Sequence, residues 1–179
     1  MAATLTKAAL DKVFVGISKI QLAPVGTLAA TTFDNSDEIF TVKDSVSFSQ
    51  AQPSKTEIKV DQFSAPIAAL YESGEFTIEG SIPSVAKEIL QYFFKTNAAT
   101  NPSITGFTKS TAVDLENKII NAMVKITSAD GTMAVVIPRC EFIANFDWSS
   151  TSSNAFAVAF TATPKINPDG KGDVLFYEK

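Results

Sequence analysis

Apolar and polar residues alternate along most of this chain, and the alternation predicts a protein built largely of half-buried strands. Val13, Val15 and Ile17 fall on odd positions and Ile20 and Leu22 on even ones, so a first strand with a bulge near Ser18 or Lys19 is expected. From Ile39 to Gln50, Phe40, Val42, Val46 and Phe48 share one face, and Thr41, Lys43, Ser45, Ser47 and Ser49 share the other. Thr56 to Val60 sets Ile58 and Val60 against Glu57 and Lys59. Glu75 to Gly80 sets Phe76 and Ile78 against Glu75 and Glu79.

The period changes between Ser84 and Lys95, where Val85, Ile89, Tyr92 and Phe93 fall at helical spacing. Pro83 marks the start of this helix, Ser84 is its candidate N-cap, and Lys95 near the end suits the helix dipole. Asn97 to Asn117 then reads as a polar connection, with a short strand around Ile104 to Thr108.

The last third reads as a meander. Ile120, Ala122, Val124 and Ile126 lead to Asp130-Gly131, a strong hairpin signal between β-rich runs. The return runs from Thr132 past Pro138, with Cys140, Phe142, Ala144, Phe146 and Trp148 on one face, and a proline there predicts a bulge or an edge. Phe156, Val158 and Phe160 form the next apolar face, and Asp173 to Tyr177 the last strand. The expected fold class is mainly β with one α-helix, in a single domain spanning residues 1–179. An N-terminal arm covers residues 1–12 and an extended hairpin or loop residues 49–67.

Composition narrows the chemistry. Fourteen Phe in 179 residues, 45% of them hydrophobic, supply a core without staples. Cys140 alone cannot close an intramolecular bridge, and without histidine there is no Ser-His-Asp or Cys-His arrangement and no HExxH site. Arg139 is the one arginine, so bidentate clamps on phosphate cannot be built in numbers. A net charge of −4 argues against tight binding to a nucleic-acid backbone. The first twelve residues lack the continuous apolar run of a secretory signal, and no run is long and apolar enough for a bilayer. No enzyme, cofactor or metal is expected, and the protein reads as soluble.

Several motifs have simpler readings. Ser84-Val85-Ala86-Lys87 matches Ser-x-x-Lys, but its partner segments are missing. Asp34, Asp37 and Glu38 lack EF-hand spacing. Asp169 and Asp173 beside Gly170 and Gly172 read as turn chemistry, and Cys140 as inert packing. Ser45 to Ile67 stands apart, because it carries more β pattern than a loop needs. It is either an ordinary surface hairpin or an arm that pairs with neighbouring subunits by β-augmentation.

Val15-Gly16-Ile17, Asp44-Ser45-Val46-Ser47-Phe48, Thr56-Glu57-Ile58-Lys59-Val60-Asp61 and Gly74-Glu75-Phe76-Thr77-Ile78-Glu79-Gly80-Ser81-Ile82-Pro83, leading into a helix, resemble the major tail tube proteins of tailed bacteriophages. The resemblance implies a β-sandwich or barrel shared with tubes of contractile injection systems and type VI secretion. Six-fold rings of such subunits stack into a tube whose acidic lumen lets DNA pass without binding. It implies contacts between subunits and rings through Gln50, Gln52, Pro53, Lys55, Glu57, Lys59, Asp61 and Gln62. The acidic pairs Glu75 with Glu79 and Glu141 with Asp147 become candidates for lining the lumen. Implied partners are further copies of the chain, tail-tip or initiator, tape-measure and tail-terminator proteins, with no membrane. The implied location is the virion tail, after synthesis in the host bacterial cytoplasm. The competing reading is a monomeric β-sandwich that binds glycans or proteins, with Trp148 as its one indole for stacking on a sugar.

Overall fold

A computed structural model describes residues 13–26, 33, 38–59, 61, 65–97, 104–107, 110–147, 156–167 and 169–179. The chain is mainly β with one short helix, and its strand pairs are antiparallel. It divides into two compact units: residues 1–40, 121–140 and 165–179 form the first, and residues 41–120 and 141–164 the second.

In the first unit the strand order is β2-β1-β9-β10, with β12 also on β10. These are β1 (Lys19–Pro24), β2 (Glu38–Ile39), β9 (Ile120–Thr127), the first half of β10 (Met133–Asp147) and β12 (Leu175–Glu178). The register puts Ile20 beside Ile126 and Leu22 beside Val124, all buried. The other face packs Ala23, Met123 and Val136 with Phe33 and Leu175. The expected first strand is shorter than its sequence pattern: residues 13–18 are not in the ladder, and Val13 and Val15 are exposed. Gly16 sits at φ +61 there, and irregular backbone bonds continue on either side of it, from the Ser18 amide to the Thr127 carbonyl at 2.9 Å and from the Ala129 amide to the Val15 carbonyl at 3.1 Å, next to the expected bulge.

Asp130-Gly131 closes the β9–β10 hairpin as expected, with Gly131 at φ +68. Asp130 is the centre of the turn. Its carboxylate accepts from the Ser128 hydroxyl at 2.6 Å, the Thr132 amide at 3.0 Å and the Thr132 hydroxyl at 2.7 Å. Pro138 interrupts no part of β10 and sits at a local edge, one of the two outcomes the sequence predicts. It lies where β10 exchanges neighbours, since Val136 is the last residue facing β12 and the Arg139 carbonyl already accepts the Lys165 amide. A residue with no N–H to donate fits that gap.

In the second unit the order is β10-β11-β6-β3, from the later half of β10, β11 (Ala157–Pro164), β6 (Phe76–Ile82) and β3 (Ser47–Gln50). Ile78, Gly80 and Ile82 of β6 lie beside Ala162, Phe160 and Val158, all buried. Gly80 is required here, because a Cβ would sit 2.7 Å from the Phe160 ring that crosses it. Phe142 packs on Phe160 at 5.8 Å. The two-stranded pairs β4 (Ser54–Ile58) with β5 (Ala68–Glu72) and β7 (Phe94–Asn97) with β8 (Ala112–Asn117) complete this unit.

Helix α1 spans Lys87–Phe93, shorter than predicted, and turns straight into β7. Val85 therefore precedes the helix, and the buried stripe is Leu90 and Phe93. Ala86 holds the N-cap position in place of Ser84, whose hydroxyl accepts the Ala86 amide at 3.2 Å. The carbonyls at the helix end are satisfied by Lys118, which donates to Gln91 and Tyr92 at 2.9 and 2.8 Å, and not by Lys95, which pairs with Glu116 across the β7–β8 ladder. The predicted strand from Ile39 to Gln50 is also broken. Val42 accepts from Ser45, Asp44 takes φ +61, and Phe40 is 75% exposed, so only Glu38–Ile39 and Ser47–Gln50 pair. β8 lies in what the sequence presents as a polar connection, while Ile104 and Phe107 form a single bridge.

Two predictions follow from this packing. Phe142→Ala removes a ring that is 2% exposed, and its expected loss is about 3–5 kcal/mol, read as a lower urea midpoint at unchanged slope. The three hydrogen bonds to Asp130, the Ser128 hydroxyl first, lower its pKa from 3.8 to about 2. A carboxylate depressed on folding adds stability above its unfolded pKa and loses it as pH falls through the folded one. Stability should therefore drop between about pH 4 and pH 2, and Asp130→Asn should flatten that drop while lowering stability at pH 7.

Candidate functional site: an acidic sheet face and a projecting arm

Strand alternation sorts the second unit's sheet into two unlike faces. Even positions of β6 point into the core, and the register carries that face to Phe48 of β3 and to Val158, Phe160 and Ala162 of β11. The opposite face is made of Ser47 and Ser49, Thr77, Glu79 and Ser81, and Ala159, Thr161 and Thr163. On β10 the residues alternating with buried Phe142 and Ala144 are Glu141, Ile143, Asn145 and Asp147. None of these outward residues is buried. One row reads Ser47, Glu79, Thr161 across three strands, and the next joins the Ser49 and Thr77 hydroxyls at 2.8 Å.

The four candidate carboxylates thus share a side of the sheet: Glu75 just before β6, Glu79 within it, and Glu141 and Asp147 on β10. β3, β6 and β11 carry no lysine or arginine, and β10 carries the exposed Arg139 two residues before Glu141. Ile143 is the one large apolar side chain on the face, and the rest are small, hydroxylic or acidic. Burying such a surface would cost its carboxylates their hydration.

The other candidate residues fall on a single projecting structure. β3 pairs with β6 from Ser47↔Glu79 to Gln50↔Phe76, and β4 pairs with β5 from Ser54↔Glu72 to Ile58↔Ala68. Three residues separate the two ladders on each strand, so the register is unbroken, and the Ala51 amide bridges the gap to the Glu75 carbonyl at 2.9 Å. The result is one long hairpin whose outer part is an arm. β11 pairs with β6 only from Ile78 to Ile82, leaving the arm beyond its reach. Every described residue from Ser47 to Ser73 is exposed.

Gln50 ends β3, Gln52 and Pro53 lie at the base of the arm, Lys55 and Glu57 are on β4, and Lys59 and Asp61 follow it. Gln62 lies outside the described residues, as do Trp148, Asp34, Asp37 and the arm at residues 1–12. Lys55 and Lys59 both reach Glu57, at 2.7 and 3.7 Å, which makes a charged face. The alternate positions Thr56, Ile58, Ala68 and Leu70 continue the row of Phe48, Phe76 and Ile78. The sequence candidates favoured polar residues and missed this stripe, in which Ile58 is 43% and Leu70 59% exposed. Leu70 and Tyr71 were legible only as part of an apolar run after Pro66, with nothing to mark them as uncovered.

Elsewhere the chemistry is closed. The first unit has an open depression of about 350 Å³ beside Lys19, Lys125 and Tyr177. Lys19 pairs with Glu38 at 3.6 Å, and Lys125 lies over the Phe33 ring at 5.6 Å. Asp173 accepts the Asn167 amide at 2.7 Å within its turn. Among the described residues no three His, Cys, Asp or Glu cluster as metal ligands would, and no helix is long and apolar enough to cross a membrane. Burial raises the Cys140 thiol to about 12.

No protein-family model matches this sequence, and no curated protein sequence is similar enough to count as a relative.

The Cys140 environment makes a direct prediction. At pH 8 the native thiol should resist a water-soluble disulfide reagent and titrate as one equivalent after denaturation; fast labelling of the folded protein would contradict the burial.

Proposed function

We propose that this chain is a structural subunit that assembles with copies of itself into six-fold rings, which stack into a tube of the phage tail tube type. The observation that carries this reading is the arm. A two-stranded ribbon has little stability alone in water, and this one holds an apolar stripe whose Ile58 and Leu70 are exposed. A second copy is the surface that would cover it. β3 ends the sheet order, and no strand among the described residues pairs its other edge, so the sheet can be extended by a neighbour's strand.

The acidic face supports the same reading. A closed ring of such sheets would keep the Glu75, Glu79, Glu141 and Asp147 side in water, around a channel. DNA phosphates would be repelled from the carboxylates of that wall. In this reading the chain acts without catalysis, and tail-tip, tape-measure and terminator proteins are its partners in the virion.

Sedimentation and negative-stain electron microscopy across a concentration series test this. The full chain should give rings and tubes with a central pore, alone or after addition of a tail-tip complex. Replacing residues 52–74 with Asn-Gly, a turn suited to a two-residue hairpin, should leave a folded monomer. Leu70→Ser should raise the assembly midpoint by about tenfold or more, as expected for losing roughly 1.5 kcal/mol of apolar burial. A chain that stays monomeric even when seeded, or an armless variant that still forms tubes, would overturn the proposal.

A further inference from the structure

The base of the arm is tighter than a ribbon requires. A Cβ built on Gly74 would lie 1.7 Å from the Ala51 carbonyl oxygen and 2.4 Å from its carbonyl carbon, where real Cβ atoms do not come within 3.0 Å. The obstacle is backbone, so no rotamer change relieves it. Gly74 is not among the glycines with positive φ, so its role here is close approach and not left-handed geometry. Pro53, lacking an N–H, interrupts the ladder on the opposite strand. Between the two ladders the one described backbone bridge is the Ala51 amide to the Glu75 carbonyl.

Resting on the assembly reading above, the geometry points to the Ala51–Gly74 crossing as the joint that aims the arm, with Gly74 a positioning residue for assembly. The joint does two things. It holds the strands close enough to carry the register from β3–β6 into β4–β5 without a slipped residue. It thereby fixes which side of the arm the stripe of Thr56, Ile58, Ala68 and Leu70 occupies, since a one-residue shift exchanges the faces of a strand. A side chain at 74 must part the strands at the point where the fewest bonds hold them.

Two variants test the joint, read by hydrogen exchange of the monomer and by assembly. In Gly74→Ala, amides of residues 54–58 and 68–72 should exchange at least tenfold faster, β6 and β11 should keep their protection, and the assembly midpoint should rise at least tenfold. Ser73→Ala should change neither. In the second variant one glycine is inserted after Ala51 and one after Ser73. That preserves the β4–β5 pairing and reverses its faces, so arm protection should persist while assembly is lost. Wild-type arm exchange in Gly74→Ala, or wild-type assembly by the insertion variant, would overturn the inference. These failures are distinguishable from failure of the assembly reading, in which the armless variant also assembles or the full chain never does.

Discussion

The alternation of seven residues in β6 governs the second unit. Ile78, Gly80 and Ile82 enter the core, and Thr77, Glu79 and Ser81 leave it, because successive side chains of a strand point to opposite sides. Pairing transmits this choice to β11 and β3. Gly80 anchors the arrangement: the Phe160 ring lies across it, and any side chain there would displace the ring that packs on Phe142. A slip of one residue would bring Glu79 inside and expose Ile78. The energetic penalty of burying that carboxylate makes the register firm.

The same alternation runs on past the sheet. With the register unbroken at Ala51 and Glu75, the core-facing row of β3 and β6 continues onto a ribbon that has no core beneath it. The arm is therefore an extension of the fold's own inside surface into solvent. Most of the charge stands on its other side, where Glu57 links Lys55 and Lys59, and Glu72 opposite Ser54 shares the side of the stripe nearer the base. Exposed ion pairs of this kind add little stability, but they mark which side of the ribbon suits water.

Much of the fold was legible in the chain, and the failures have identifiable causes. The β9–β10 hairpin was readable because Asp130-Gly131 combines a turn residue with the left-handed conformation glycine accepts. The alternation of β6 was readable because its two faces differ so strongly. The strand from Ile39 to Gln50 was misread because alternation does not reveal a turn at Lys43-Asp44, where an aspartate takes positive φ. The helix was overextended because Val85 fits the helical stripe by spacing, yet the chain is still extended at Ala86. β8 was missed because Asp114, Glu116 and Asn117 dilute its apolar signal. For the candidate site, the acidic face was legible as single carboxylates, and their common side needed the register. The stripe on the arm was invisible as a site, because exposure of Leu70 depends on which strands end early.

Two opposite demands on solvent remain after the monomer has folded. The face with Glu79, Glu141 and Asp147 favours hydration, since none of these acidic positions is buried and covering them would strip their water. The stripe through Ile58 and Leu70 favours leaving water, since each large apolar side chain gains about 1.5–3 kcal/mol when fully buried. A globular monomer can satisfy the first demand alone. In the proposed assembly, association through the arm would satisfy the second, and a closed ring that keeps the acidic face on a wet interior would satisfy both.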